Sequence, residues 1–223
     1  MSSKSVQRDA FREQEGNGYF LRNEESLKQR SPVRDLVTAR IAHHLPTTAK
    51  SRVLEVGCAS AGNLAALNEM RPIEGFGIDP SVNAVRAGQE RFPAFVLQAG
   101  TADSLPFDDG SMDVVWFGFC LYLIDRPLLH RVVAEADRVL KDGGMLVIFD
   151  FDPDAPCVRP YRHYAGLNTY KMDYSRLFLG DPAYLLAEKL CFSHNGVQWA
   201  DDVQERLGLW ICRKSIRHAY RTE

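Results

Sequence analysis

The sequence lacks the features of a membrane-spanning or exported protein. None of its stretches reaches the roughly 18 uninterrupted apolar residues that a membrane span needs. Residues 1–14 are polar and mixed in charge, without the apolar core of a signal peptide. We therefore expect a soluble, cytoplasmic protein that does not act on membranes.

The sequence also lacks an excess of one charge and any paired cysteines. Its 27 basic and 29 acidic side chains give a formal net charge of −2, so no global field attracts nucleic acid. The five cysteines are odd in number and scattered, without a Cys-x-x-Cys pair. We expect free thiols, no metal site and no nucleic-acid partner.

What the sequence does contain is an alternation of short apolar strands and amphipathic helices. Its 223 residues, 45% of them hydrophobic, suffice for one α/β domain. From Arg52 onward the alternation is typical of βαβ units in a parallel sheet. It predicts strands at residues 52–56, 75–78, 95–98, 113–119 and 145–149, and helices at 63–70, 82–91 and 128–140.

The two ends of the chain are less regular. Ser31 and Pro32 have the types that cap and begin a helix. The preceding residues are polar but contain an apolar cluster at 19–21, which fits either a mobile tail or a flap. Residues 182–189 are expected to be helical, and the segments beginning at 190 and 205 to form an antiparallel strand pair.

A run of small residues follows the first predicted strand. Small side chains there let the backbone turn sharply and approach a ligand closely. They belong to Gly57, Ala59, Ala61 and Gly62. Asp79 ends the second predicted strand, where its carboxylate can accept hydrogen bonds from both hydroxyls of a ribose. It can equally be a helix N-terminal acid before Pro80.

This loop resembles the first motif of the class I S-adenosylmethionine-dependent methyltransferases. That motif is an acidic residue, an apolar residue and Gly-x-Gly-x-Gly. Glu55 and Gly57 match it, and Ala59 and Ala61 stand in place of the second and third glycines. Alanine disfavours positive φ, so the loop should be more restricted than the family norm.

Two later segments extend the resemblance in the correct order. Residues 100–107, Gly-Thr-Ala-Asp-Ser-Leu-Pro-Phe, are similar to the family's segment beside the adenine, with Thr101 in place of its aspartate. Residues 138–144, Arg-Val-Leu-Lys-Asp-Gly-Gly, match its Arg-Val-Leu-Lys-Pro-Gly-Gly closely. The ordered set of motifs, more than any one of them, carries the resemblance.

The resemblance implies an α/β fold and S-adenosyl-L-methionine as the cofactor. The fold would be a Rossmann-like, seven-stranded, mostly parallel sheet with helices on both faces, an antiparallel last strand and an insertion after the fifth strand. Residues 1–30 would form a flap over the active site, and 31–223 a single methyltransferase domain. In the flap, Arg22 would pair with the methionine carboxylate. The predicted cofactor residues are Tyr19, Arg22, Glu55, Gly57, Cys58, Ala59, Gly62, Asp79, Pro80, Thr101, Ala102, Asp103 and Phe119.

Residues 150–189 interrupt the alternation and interleave tyrosines with cations, which predicts an acceptor-binding insertion. The cations indicate a small anionic acceptor of carboxylate, phosphate, phosphonate or sugar type, O-methylated by in-line transfer. A solvated loop sealed by amphipathic tyrosines is the alternative interpretation. The candidate catalytic residues are His163, Tyr170 and Lys171. The candidate acceptor contacts are Tyr122, Arg159, Arg162, Lys171 and Tyr174.

Other functions remain open at this point. The loop also fits a relaxed Gly-x-Gly-x-x-Gly with Asp79 about 20 residues further on, as in NAD(P)-dependent oxidoreductases. A binding protein without turnover, or methylation of a macromolecule, would use the same fold. The chain is expected to be a monomer or a homodimer.

Overall fold

The computed structural model describes residues 6–194, 196–199, 202 and 204–219. Residues 1–5 of the predicted flap and residues 220–223 of the predicted domain lie outside the described residues. None of the described helices is long and apolar enough to cross a membrane.

The strands form one central sheet and a separate hairpin. In chain order they are β1 (Ser51–Val56), β2 (Ile73–Asp79), β3 (Val96–Ala99), β4 (Met112–Gly118), β5 (Leu140–Phe151), β6 (Cys157–Pro160), β7 (Asn168–Lys171), β8 (Tyr184–Ser193) and β9 (Arg206–Lys214). The central sheet has seven strands in the order β3-β2-β1-β4-β5-β9-β8. Strands β1 to β5 are parallel, and β9 runs antiparallel between β5 and β8. The predicted mostly parallel sheet with an antiparallel last strand is confirmed.

Helices flank this sheet. In chain order they are α1 (Val6–Ala10), α2 (Gly16–Lys28), α3 (Pro32–His44), α4 (Gly62–Met70), α5 (Val82–Arg91), α6 (Arg126–Val139), α7 (Arg176–Leu179) and α8 (Ile216–Ala219). A π-helical turn, Phe11–Glu15, joins α1 to α2, and a 3-10 helix, Leu121–Leu123, follows β4. The predicted cap of α3 is confirmed, because the Ser31 side chain accepts a hydrogen bond from the Arg34 amide and Pro32 opens the helix.

The core is centred on β4 and β5, as continuous apolar strands of a parallel sheet require. Val115, Trp116 and Phe117 of β4 are at most 1% exposed, and Leu146, Val147 and Ile148 of β5 are fully buried. Because β4 and β5 are paired and parallel, the carboxyl ends of both strands lie at the same edge of the sheet.

The prediction of a helix at residues 182–189 is wrong. This segment is part of β8, which pairs with β9 from Tyr184 opposite Lys214 to Ser193 opposite Arg206. Leu, Ala, Glu and Lys are good helix formers, but β9 is a buried apolar strand that needs a partner on its second edge. Tertiary pairing therefore overrides the local helix propensity.

The segment between β5 and β8 contains the β6–β7 hairpin and α7. The hairpin is not part of the central sheet, and its contacts with the N-terminal helices bear on the site described below.

Candidate active site

A cavity of about 300 Å³ lies at the carboxyl ends of the parallel strands. Strand order reverses between β1 and β4, and ligands of open α/β sheets bind in the crevice that such a reversal creates. The walls come from the loop after β1, the ends of β2, β4 and β5, the segment after β3, and the N-terminal helices. The predicted cofactor residues that line it are Tyr19, Gly57, Cys58, Ala59, Gly62, Asp79, Pro80, Thr101, Ala102, Asp103 and Phe119.

The loop after β1 has the backbone of a glycine-rich turn although two of its residues are alanines. Gly57 has φ +77°, and a Cβ there would lie 2.7 Å from the Cβ of Cys120, so this position requires glycine. Ala59 and Ala61 also adopt positive φ, at 45° and 62°. The two alanines therefore hold a conformation that costs an alanine about 1–2 kcal/mol each.

Asp79 anchors this loop to the start of α5. One carboxylate oxygen accepts a hydrogen bond from the amide of Ala59 at 2.9 Å, and the other accepts one from the amide of Ser81 at 2.8 Å. Burial raises the pKa of Asp79 to about 6. Because a carboxylate can accept about four hydrogen bonds, acceptor capacity remains on the cavity side for ligand hydroxyls.

Glu55 lies beneath the loop and is fully buried. Its Oε1 accepts a hydrogen bond from the side-chain amide of Asn63 at 2.6 Å, and its Oε2 has no hydrogen-bond partner within the described chain. Burial raises the pKa of Glu55 to about 8. Asn63 lines the cavity, so Glu55 is connected to the cavity wall through this hydrogen bond. Asn63 was not among the predicted site residues.

The N-terminal helices cover the cavity. Arg8, Phe11, Gly16 and Tyr19 all line it. Gly16 allows close packing on the loop after β2, since a Cβ there would lie 3.1 Å from the Ser81 amide nitrogen. The segment predicted as a flap is thus placed over the site from residue 6 onward, although its role as a lid stays a prediction.

A buried polar cluster joins these helices to the β6–β7 hairpin. Tyr161 donates a hydrogen bond to Glu15 at 2.7 Å, and Arg22 forms an ion pair with the same carboxylate. Glu15 is 3% exposed, so its charge needs the compensation that Arg22 provides. We call Glu15, Arg22 and Tyr161 the latch.

The latch changes the position predicted for Arg22. Its guanidinium is committed to Glu15 and Tyr161, and it is not among the described residues that line the cavity. The expectation that Arg22 holds a methionine carboxylate is therefore not supported by this geometry.

Arg34, on the first turn of α3, lines the cavity instead. Its guanidinium donates to the carbonyl oxygens of Gln29 at 2.7 Å and Leu27 at 3.2 Å. No described carboxylate lies within ion-pair distance of it, and burial lowers its pKa. The capping signal at Ser31 predicted where α3 begins, but not that Arg34 would face a ligand.

The segment after β3 is tied to the flap. The Asp103 carboxylate accepts a hydrogen bond from Arg8 at 3.1 Å, and its carbonyl oxygen accepts one from Arg131 at 2.7 Å. Thr101 and Ala102 line the cavity beside it. A ligand at this end would therefore contact both the segment after β3 and the flap.

The predicted acceptor and catalytic residues are not brought to the cavity. Lys171 is 6% exposed, and its ammonium donates to the Gln204 carbonyl oxygen at 2.8 Å while lying 3.7 Å from the ring centre of Phe151. Arg159 forms an ion pair with Glu205 at 3.6 Å. Two of the three predicted anion-binding cations, Lys171 and Arg159, are thus held by groups of the protein itself.

The remaining predictions for this pocket also differ from the structure. Tyr174 is fully buried and donates its hydroxyl to the carbonyl oxygen of Tyr170, while His163 and Arg162 are exposed on the hairpin. The described lining of the cavity includes none of the predicted acceptor and catalytic residues. The described cavity therefore has no wall formed by the predicted acceptor-binding cations.

Aromatic side chains occupy the ends of β4 and β5 instead. The ring centre of Phe119 lies 5.0 Å from that of Tyr122, 5.2 Å from Phe149 and 5.9 Å from His194. Phe119 and Phe149 both line the cavity. Phe149 and His194 were not among the predicted site residues. Phe149 could have been predicted, because it lies near the carboxyl end of a parallel strand, at the ligand-binding edge of the sheet.

Known proteins share these features. Residues 54–148 match the methyltransferase domain family. The chain is 34% identical over 117 residues to phthiotriol/phenolphthiotriol dimycocerosates methyltransferase 1 of Mycobacterium ulcerans, and 33% identical over 111 residues to a demethylmenaquinone methyltransferase of Renibacterium salmoninarum. The matches cover 51% and 50% of this chain but 42% and 45% of those proteins, so the chain spans less than half of the relatives' length.

A solved structure shares the fold over nearly all of this chain. A chain from the complex between the Haloferax volcanii Trm112 methyltransferase activator and the putative methyltransferase superposes with a TM-score of 0.66 at 20% identity, covering 98% of this chain and 100% of that one. Residues 54–148 therefore belong to the class I S-adenosylmethionine-dependent methyltransferases, as the ordered motifs predict. The cofactor of this domain is S-adenosylmethionine.

Proposed function

We propose that the whole chain is an enzyme that transfers the methyl group of S-adenosylmethionine to a small-molecule acceptor. The observation that carries this proposal is one continuous cavity, with the family's cofactor motifs at one end and a wall of aromatic side chains at the other. A cofactor and an acceptor can meet in such a cavity with water excluded.

The residues at the motif end fit the parts of the cofactor. Asp79 would accept hydrogen bonds from the ribose hydroxyls, and Thr101 and Ala102 would flank the adenine. Arg34 is a cavity-lining cation without a carboxylate partner in the described chain, which suits the methionine carboxylate.

When bound, S-adenosylmethionine supplies a methyl group on a positively charged sulfur, so the transfer is an in-line displacement onto the acceptor. The protein's contribution is to align the acceptor and to exclude water. The flap residues Phe11 and Tyr19 cover the cavity and serve the second task. Phe119 lines the cavity directly after β4 and would border the position where the transfer takes place.

The expectation of an anionic acceptor is not retained in this proposal. An anionic acceptor was predicted from Arg159, Arg162 and Lys171, and the structure places none of these described cations in the cavity wall. Oxygen remains the proposed acceptor atom. A small acceptor remains the proposed size class, because the flap and the strand ends enclose the space.

Calorimetric titration tests the proposal. We expect S-adenosylhomocysteine to bind with one site per chain and NADH not to bind. Binding of NADH alone would overturn the proposal in favour of an oxidoreductase.

A second titration tests Arg34. Arg34→Ala should weaken S-adenosylhomocysteine at least tenfold and leave 5′-methylthioadenosine unchanged, because the latter lacks the amino-acid part. Equal loss of both ligands would show that Arg34 acts on the fold of the site and not on the carboxylate.

A further inference from the structure

We infer that the methyl acceptor is an uncharged molecule with an apolar, flat body that packs against Phe11, Phe119 and Phe149. This inference rests on the proposed function. We call these three side chains the aromatic wall. It occupies the end of the cavity formed by β4, β5 and the flap, and its members come from three separate parts of the chain.

The aromatic wall is supported from behind by further rings. Phe119 lies 5.0 Å from Phe151 in addition to its contact with Phe149 at 5.2 Å, and Phe11 lies 5.8 Å from Tyr161. Rings at these separations and tilts are in the attractive range for aromatic pairs. The wall is therefore preformed, and an acceptor that packs on it would need little rearrangement of the protein.

The backbone at Phe119 points to a ligand-directed role. Its φ is +69°, a left-handed conformation that a bulky residue rarely adopts and that costs on the order of 1–3 kcal/mol. This conformation places the ring at the cavity directly after β4, where its four ring neighbours converge. Such outliers concentrate at ligand sites because the surrounding structure must hold them in place.

The charges around the wall exclude an anionic acceptor. Among the described residues that line the cavity, the cations are Arg8 and Arg34. Arg8 is held by Asp103 at 3.1 Å, on the segment after β3, and Arg34 lies beside the loop after β1. An acceptor anion at the wall would lose its hydration without gaining an unpaired cation, which is costly.

Three cations outside the described cavity lining are paired with carboxylates as well. Arg22 is paired with Glu15, and Lys171 and Arg159 both face Glu205, at 3.3 Å and 3.6 Å. To bind an anion there, the protein would have to break one of these ion pairs. An uncharged acceptor avoids this cost and gains from burying its apolar surface on the wall.

Binding of two matched probes tests this inference. With the protein saturated by S-adenosylhomocysteine at pH 7, calorimetry compares 2-naphthol, which is neutral, with 2-naphthoate, which has the same rings and a negative charge. We expect 2-naphthol to bind at least tenfold more tightly. Tighter or equal binding of 2-naphthoate, or no binding of 2-naphthol, would overturn the inference.

A variant then locates the probe. Phe149→Ala should weaken 2-naphthol at least fivefold and leave S-adenosylhomocysteine unchanged, whereas Phe92→Ala, at the end of α5 and away from the described cavity lining, should change neither. Unchanged binding of 2-naphthol by Phe149→Ala would refute the wall as its site. Failure of S-adenosylhomocysteine to bind the unmodified protein would instead refute the proposed function, and the inference would fall with it.

Discussion

The two ends of the cavity are built in different ways. At the cofactor end, which carries the family's motifs, the segments after β1, β2 and β3 contribute backbone groups and short side chains, and Asp79 accepts hydrogen bonds from two backbone amides. At the proposed acceptor end, which carries the aromatic wall, bulky side chains come from the flap, β4 and β5. Phe11 packs on Tyr161 of the latch, and Phe119 packs on Phe149.

This difference explains why the sequence reveals the cofactor end but does not reveal the aromatic wall. A turn that must bend sharply needs small residues at fixed spacing, so its function is visible in a short motif. A wall of rings needs only apolar residues in the right place, and those look like core residues in a sequence. We expect cofactor binding to be weakened by substitution of a single polar side chain. At the proposed acceptor end, we expect substitutions in the residues that pack behind the wall to have the larger effect.

The largest effect is expected from removing the carboxylate at the centre of the cofactor end. Asp79→Ala deletes the acceptor for the Ala59 and Ser81 amides and the proposed ribose contact. We expect the dissociation constant for S-adenosylhomocysteine to rise about a hundredfold, measured by calorimetry. Asp108→Ala, an exposed carboxylate of the loop before β4, should have no effect. A loss below threefold for Asp79→Ala would show that cofactor binding does not depend on this carboxylate.

The next effect concerns pH and the buried carboxylate of Glu55. An unfolded glutamate loses its proton near its ordinary pKa, whereas folding raises the pKa of Glu55 to about 8. The folded state therefore binds more protons between about pH 4.5 and 8, and the free energy of unfolding falls as pH rises through this window.

Glu55→Gln removes this titration while keeping an oxygen for Asn63. Between pH 5 and pH 8, the free energy of unfolding of the variant should fall by about 3–4 kcal/mol less than that of the unmodified protein, measured by urea unfolding. Burial also raises the pKa values of Asp79 and Asp150, but these groups are present in both proteins and cancel in the difference. Parallel pH profiles would show that Glu55 is already ionised.

A smaller effect is expected at the latch. Tyr161→Phe removes the hydrogen bond to Glu15 but keeps the ring that packs on Phe11. The free energy of opening the flap should fall by about 1 kcal/mol, so amides of α2 should exchange hydrogen several-fold faster. Tyr164→Phe is the matched control, since its hydroxyl makes only a long 3.5 Å contact with Gln14. Equal exchange in the two variants would show that the latch does not hold the flap.

The smallest effect is expected from the alanines in the loop after β1. Ala59→Gly relieves a positive φ of 45°, which should raise the free energy of unfolding by up to about 1 kcal/mol after the entropy cost of glycine is subtracted. Ala65→Gly, inside α4, should lower it by about 0.5–1 kcal/mol. A loss of stability for Ala59→Gly would mean that its methyl group contributes packing that outweighs the strain.

Much of the cofactor end was predictable because its determinants are local. The loop from Glu55 to Gly62 and the acid at Asp79 follow strands whose apolar runs are themselves visible, so their position at the sheet edge follows from the βα pattern. The exceptions are Arg34 and Asn63, which reach the cavity from helices. No local signal separates a helix residue that faces a ligand from one that faces solvent.

The anion site predicted at residues 159–176 fails because two of its cations are paired with a distant carboxylate. Interleaved tyrosines and cations at 159–176 resemble an anion site, but Glu205 is nearly 50 residues away from Arg159 in sequence and adjacent to it in space. In the same way, Arg22 was expected at the cofactor and is held by Glu15 and Tyr161. Long-range partners decide whether a cation is available to a ligand.

The class of fold and the cofactor can be inferred from the amino-acid sequence, because periodic apolar runs and small-residue turns are local requirements of the backbone. The folded chain was needed to show that β8 is a strand, that Arg34 lines the described cavity and Arg22 does not, and that the proposed acceptor end is aromatic. Strand pairing, ion pairing and ring packing depend on which distant residues become neighbours. That information is absent from any single segment of the chain.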